Sequence, residues 1–308
     1  MKKSVLTTLC SAAILVGFQA PGLAQVDETI KSGPELNAIS QATTLMIIGV
    51  SENTQSHGSG SLIAKDGDIC VGVTNAHVVV HDLEFMVRTA DGEIHPLPVE
   101  NIQVFRNEDL ALVSFECEED YQTIPLATYQ LSPGQEVYLS GWPADSTPDG
   151  SYVRQFTSGS ISTILDNPVQ GYQVGYTNVT NSGMSGGQVI DQAGRLVAIH
   201  GLGALEDPRR IADSLGVDES TAAALADKTG FNYGIPVTTF LAGASQAGLN
   251  YPFEVVFSTP QGTAPQEDYV YEPDADDQIS YDSMLDNINS TLDTINQGIG
   301  TVCRLFGC

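Results

Sequence analysis

Basic residues are scarce. The 308-residue chain carries 12 Lys and Arg against 38 Asp and Glu, a formal net charge of −26. Such a surface repels nucleic acid and anionic lipid, so neither is expected as a partner. Long apolar runs are scarce too: beyond residue 24 nothing approaches the roughly 20 residues needed to cross hydrocarbon. The five cysteines include no CxxC pair and the five histidines no paired ligand spacing, which argues against a zinc site. The acidic run 274–277 lacks the spacing of a twelve-residue calcium loop. Neither a metal nor a cofactor is expected.

What is present begins with Met1-Lys2-Lys3, an apolar run over 5–18 and Gly22-Leu23-Ala24, the three parts of a secretory signal peptide cleaved after Ala24. The run is too short for an anchor, so the mature chain is expected to be secreted or periplasmic, with no membrane association. Cleavage removes two lysines and no acids, taking the charge from −26 to −28. It also leaves four cysteines in an oxidising compartment, where an even number reads as disulfides. Three pairings are open; proximity in sequence favours Cys70–Cys117 and Cys303–Cys308.

Short β-branched runs separated by turn residues fill 43–115: 43–50, 60–64, 70–74, 83–87, 94–98 and 110–115. Asp66-Gly67 and Asp91-Gly92 supply hairpin turns between them. The rhythm repeats at 135–139, 153–155, 159–165, 172–176, 187–190 and 196–199, with Asp149-Gly150 and Ala193-Gly194 as turns. This is an all-β pattern of two tandem units, 25–127 and 128–250. A helical interruption is expected at 208–228 and a short closing helix at 237–247. Residues 251–278 read as an acidic, proline-containing linker. Beyond it, Tyr281, Leu285, Ile288, Leu292, Ile295, Ile299, Val302 and Phe306 recur at spacings of four and three, so 279–308 is read as an amphipathic helix. Its apolar stripe serves either docking on the β-units or self-association through 281–306.

Three segments carry chemistry. Val73-Thr74-Asn75-Ala76-His77-Val78-Val79 sets a histidine just after an apolar strand. Asn107-Glu108-Asp109-Leu110-Ala111-Leu112-Val113 sets an acid just before another. Gly183-Met184-Ser185-Gly186-Gly187 surrounds a serine with residues that free the backbone. A serine hydroxyl needs a base to remove its proton during attack, and that base needs a third group to orient it. In the order His, Asp, Ser across two β-units, the segments resemble the trypsin/chymotrypsin-like serine peptidases over roughly residues 40–247. The resemblance implies two six-stranded antiparallel β-barrels with His77 as general base and Asp109 as its orienting acid. It further implies Ser185 as nucleophile and the Gly183 and Ser185 amides as an oxyanion hole. Asp82, only five residues after His77, is the second candidate for the acid.

Met184 stands where digestive members have the aspartate that pairs with a new amino terminus, so that activation device is absent. The pattern is closer to bacterial members, the glutamyl endopeptidases and the Deg/HtrA group, although no PDZ domain is recognisable. In glutamyl endopeptidases a histidine fifteen residues after the nucleophile and a threonine five before it line the pocket for the residue on the acyl side of the cut. His200 and Thr180 stand at those offsets, which implies a preference for Glu or Asp, with substrate backbone along the edge that includes Gly201. A histidine satisfied by backbone at a strand end is the plainer reading of His200. Val179 argues against Lys/Arg selectivity. The expected activity is endopeptidase action on protein or peptide substrates. The alternatives are a non-catalytic scaffold that binds protein and a Deg-like quality-control protease assembled through its tail.

Overall fold

The computed structural model describes residues 28–52, 54–144, 151–203, 232–263 and 286–292, together with 212, 217, 218, 220, 278, 279, 283 and 284. The expected signal peptide, the Cys303–Cys308 pair, residues 264–277 of the linker and all but four residues of the expected helical interruption at 208–228 lie outside the described residues.

The first element is a helix that the strand pattern did not suggest, α1 (Gly33–Thr43). Its start is written locally: the Ser32 side chain accepts from the Glu35 amide, and the Glu35 carboxylate accepts from the Ser32 amide at 2.7 Å. Such a reciprocal cap satisfies two donors that a helix start otherwise leaves bare. The other end is stitched to the C-terminal half, where the Gln188 amide donates to the Ser40 carbonyl at 2.8 Å.

Seven strands then form the first sheet: β1 (Thr44–Val50), β2 (Gln55–Asp66), β3 (Ile69–Thr74), β4 (Glu84–Arg88), β5 (Ile94–Leu97), β6 (Ile102–Val104) and β7 (Ala111–Glu116), in the order β5-β4-β1-β2-β3-β7-β6. The sheet curls until β5 approaches β7, without a hydrogen-bonded ladder between them. A disulfide joins Cys70 on β3 to Cys117 just past β7, with Cα atoms 5.8 Å apart, as sequence proximity suggested. Leu45, Ile47, Leu62, Val87, Val113 and Phe115 fill the hollow around it.

The second unit contains β8 (Leu126–Ala127), β9 (Glu136–Gly141), β10 (Tyr152–Val153), β11 (Gln155–Val169), β12 (Tyr172–Tyr176), β13 (Gln188–Ile190), β14 (Leu196–Leu202) and β15 (Asn232–Pro236). Pairing of β13 with both β9 and β14 closes the ring β13-β9-β11-β12-β15-β14, an antiparallel six-stranded barrel. The fold is thus the expected trypsin-like pair of β-units, one closed and one curled. Helix α2 (Ala76–Val79) sits in the first unit, and α3 (Val237–Gln246) closes the second. Phe240 of α3 stacks on Phe105 of the first unit, with ring centroids 5.7 Å apart. One apolar cluster runs across the junction, joining Val73 and Leu112 to Tyr172, Ile199 and Ile235. Burial of so much apolar surface between the units fixes their relative placement, and a site built from both depends on that placement.

Of the C-terminal stripe, the described residues 283, 284 and 286–292 are helical. Met284 and Ile288 are buried against Met46, Ile48 and Met86 on the outside of the first sheet and against Trp142 just past β9. Just upstream, β16 (Gln278–Ile279) pairs antiparallel with β10. Ile288 and Leu292 of the stripe are thus used for docking, together with Met284, which the stripe did not include.

Candidate active site

Register brings the histidine and the acid together. Strands β3 and β7 are antiparallel with Thr74 opposite Ala111, so the residues just after Thr74 and just before Ala111 share one sheet end. Asn75 holds the two connections by donating its side-chain amide to the Asp109 carbonyl at 2.9 Å. The next turn is α2. There the His77 amide donates to Asp109 Oδ1 at 2.9 Å, and His77 Nδ1 lies 2.6 Å from Asp109 Oδ2. Two contacts from one residue to both carboxylate oxygens fix the ring plane, and the short ring contact assigns the proton to Nδ1. Nε2 is thereby left as the proton-accepting nitrogen of the ring.

Asp109 is 2 % exposed and His77 is 16 % exposed, so the carboxylate is inside and the imidazole nearer the surface. Burial would raise the Asp109 carboxyl. The His77 charge and hydrogen bonds from the His77 ring, the Tyr172 hydroxyl and the His77 amide outweigh it and hold the group below the usual carboxylate range. Asp82, the second candidate, is exposed and lines a different groove with Glu52, Glu84 and Val99.

The serine loop comes from the second unit. The Gly186 amide donates to the His200 carbonyl at 2.7 Å and the His200 amide to Gly187 at 2.9 Å, so the loop continues the β13–β14 ladder. From the first unit, the Ser59 amide donates to the Ser185 carbonyl at 2.7 Å, and Ser59 Oγ donates to the Gly183 carbonyl at 3.0 Å. These bonds span the junction and set the loop beside α2. A Cβ on Gly58 would lie 2.6 Å from Val78 and 3.3 Å from the Ser185 carbonyl.

Gly183 has φ 93° and Gly186 φ 86°, backbone values that a side chain disfavours. Space excludes side chains as well, since a Cβ at Gly186 would fall 2.0 Å from the Ser59 carbonyl oxygen. Among the hydrogen bonds of the described residues, the Gly183 and Ser185 amides donate to no protein acceptor. Ser185 itself is 8 % exposed. Its hydroxyl donates to the Gly201 carbonyl at a long 3.4 Å and makes no bond to His77. A turn of χ1 toward the imidazole therefore gives up little.

His200 is fully enclosed, with Nδ1 2.6 Å from the Tyr176 hydroxyl. Burial pushes its imidazole down to about 3; the nearby His77 charge acts in the same direction and a hydrogen bond to the Tyr233 backbone opposes both. The ring is neutral at neutral pH. Thr180 is half-buried and donates to Asn232 Oδ1 at 2.7 Å, while Val179 is exposed.

The His200 value has a consequence for stability. The folded value lies below the ordinary 6.5, so the unfolded chain binds the extra proton first. Stability from this group is complete above about pH 6.5 and is lost on acidification toward pH 3, by up to about 1.4 kcal/mol per unit. Urea unfolding of His200→Gln is expected to vary less with pH between pH 6 and 4 than that of the parent. Parallel curves would contradict the assignment. Asp109 acts in a separate window, below its ordinary 3.8.

Two neighbours escaped the sequence reading. His57 lies in β2; its Nε2 is 3.1 Å from the Trp142 carbonyl and 2.6 Å from where a Gly183 Cβ would be. Tyr172 reaches Asp109 from the second unit. Each sits in a strand pattern that hides which contact its polar atom makes.

Residues 58–199 match the family of trypsin-like peptidase domains. Among solved structures, the chain is similar to the serine endoprotease from Yersinia pestis at 18% identity, over 71% of this chain and 67% of that one, with a TM-score of 0.52. That likeness is one of fold. No curated protein matches the sequence.

Proposed function

We propose that this chain is a trypsin-like serine endopeptidase in which His77, Asp109 and Ser185 are the catalytic residues and the Gly183 and Ser185 amides bind the oxyanion. The observation that carries the reading is the His77–Asp109 pair at 2.6 Å, in a chain whose glycine-framed serine is bonded across the same junction.

His77 Nε2 takes the Ser185 proton as Oγ attacks the scissile carbonyl, giving a tetrahedral intermediate whose oxygen carries the negative charge. Free amides waiting beside Ser185 meet that charge without reorganising, which is where such sites gain most of their rate. The imidazolium, held by Asp109, returns the proton to the leaving amine. Water activated by His77 then releases the acyl group from Ser185. The substrates are proteins or peptides.

Two finer readings accompany this one. The first is a preference for Glu or Asp on the acyl side of the cut. His200 lies next to the serine loop by backbone pairing, and Thr180, whose hydroxyl donates to Asn232 at rest, lies half-buried five residues before Ser185. His200 is neutral, so it would serve a carboxylate as a hydrogen-bond donor and not as a cation, by turning its one N–H away from the Tyr233 backbone. The second is export. The signal-like residues 1–24 and the Cys70–Cys117 disulfide support it, and no helix among the described residues is long and apolar enough to cross a membrane. Met284 and Ile288 are already buried on the chain's own sheet, which favours a docked tail over self-association through 281–306.

One experiment on the mature chain, beginning at Gln25, tests these readings together. A fluorophosphonate is expected to label Ser185 stoichiometrically, and a peptide library to be cut after Glu or Asp. His200→Ala is expected to lower that preference by about 10- to 100-fold while cleavage elsewhere persists. Failure to label would favour the non-catalytic scaffold. Labelling with unselective cleavage would remove only the acidic preference.

A further inference from the structure

Asp109 Oδ2 is shared. Besides the His77 ring, the Tyr172 hydroxyl donates to it at 2.5 Å. Tyr172 is 1 % exposed, and its ring packs in the apolar cluster between the two units. It opens β12 directly after the Gln170-Gly171 turn that joins β11 to β12.

That turn touches Asp109 too. The Gln170 carbonyl accepts from the Asp109 amide at 3.0 Å. Gln170 does so at φ 48°, a left-handed conformation that no other described non-glycine residue adopts. The hairpin of the second unit thus grips the acid of the first at two points, its amide and its carboxylate.

A third observation comes from the opposite wall. A Cβ on Gly201 would fall 2.1 Å from the Tyr172 hydroxyl and 2.8 Å from Asn75 Oδ1. The bare backbone at 201 is what leaves room for the hydroxyl. A side chain there would push it off the carboxylate.

We propose that Tyr172 is a positioning residue of the peptidase, its hydroxyl locking the Asp109 carboxylate in the rotamer that serves His77 Nδ1. The inference rests on the triad reading above. Oδ1 is held by the His77 amide and Oδ2 by the His77 ring and Tyr172, so each oxygen has a fixed donor and the carboxylate cannot swing. A hydroxyl that merely satisfied its own bonding need would add to stability alone. One that holds the acid also acts on the rate, through Asp109.

Tyr172→Phe keeps the ring and removes the hydroxyl. Losing a hydrogen bond to a charged group predicts a fall in kcat of about tenfold or more, with KM within about twofold. In an Asp109→Asn background the same change is expected to cost nothing further in the rate of Ser185 labelling, because the carboxylate through which it acts is gone. An unchanged kcat, or an equal loss in both backgrounds, would overturn the proposal. Should Tyr172→Phe fail to fold, Gly201→Ala reaches the same hydroxyl from the other side and is expected to show the same Asp109-dependent loss. Wild-type protein that does not label at Ser185 sinks the triad reading itself. A labelled wild type with an equally fast Tyr172→Phe sinks the positioning role alone.

Discussion

Ser185→Ala is expected to lower kcat/KM for peptide hydrolysis by about 10⁵-fold or more while leaving the fold intact. The rate loss follows because, in the proposed mechanism, Ser185 Oγ forms the acyl intermediate; in comparable sites removal of the nucleophile costs about 10⁶-fold. Retention of the fold follows from how little the hydroxyl does at rest. Its single hydrogen bond, to the Gly201 carbonyl, is 3.4 Å long. The Ser185 backbone, by contrast, is tied to Ser59 at 2.7 Å and is untouched by the change. Kinetics on a fluorogenic peptide, beside urea unfolding, checks both halves. Activity within tenfold of the parent would mean that another residue attacks the substrate. A loss of stability beyond about 2 kcal/mol would mean that Ser185 is structural.

Asp109→Asn is expected to cost about 10⁴-fold in kcat, for a reason legible in the hydrogen bonds. Both carboxylate oxygens accept from donors: Oδ1 from the His77 amide, Oδ2 from the His77 ring and Tyr172. An asparagine must turn its NH₂ toward one side. Facing the His77 backbone it opposes the N–H that donates to Oδ1, so it turns toward the ring instead. Nδ1 must then accept, the ring proton moves to Nε2, and the base is lost. Single-turnover acylation by an activated ester measures this step. A loss smaller than about tenfold would show that Asp109 does not set the tautomer.

Much of this site was visible in the chain because its parts sit where regular patterns end. His77 follows one apolar strand and Asp109 precedes its antiparallel neighbour, so strand register alone brings them to one rim. Gly183 and Gly186 flank Ser185 because the backbone there takes positive φ and has no room for Cβ. The β-runs were legible for the same reason, since alternation and turn dipeptides are local signals. Helix α1 was not read, though Ser32, Pro34 and Glu35 spell out its start; with only Leu36 as a fully buried aliphatic residue it lacks a periodic stripe. Tyr172 and His57 left no trace, because their contacts join residues 63 and 126 positions apart, and such pairings are settled by tertiary packing. Nor does the pattern of the first unit reveal that its sheet curls without a closing ladder. Two strands can approach through their side chains without exchanging backbone bonds, and sequence alternation does not distinguish the two.

The site works as a unit only if elements from both halves of the chain meet at one reacting carbonyl. A crystal structure of the fluorophosphonate adduct examines that meeting. The account predicts phosphorus on Ser185 Oγ, its oxygen within about 3 Å of the Gly183 and Ser185 amides, and His77 still paired with Asp109. Phosphorus on another residue, or an oxygen turned away from both amides, would contradict it.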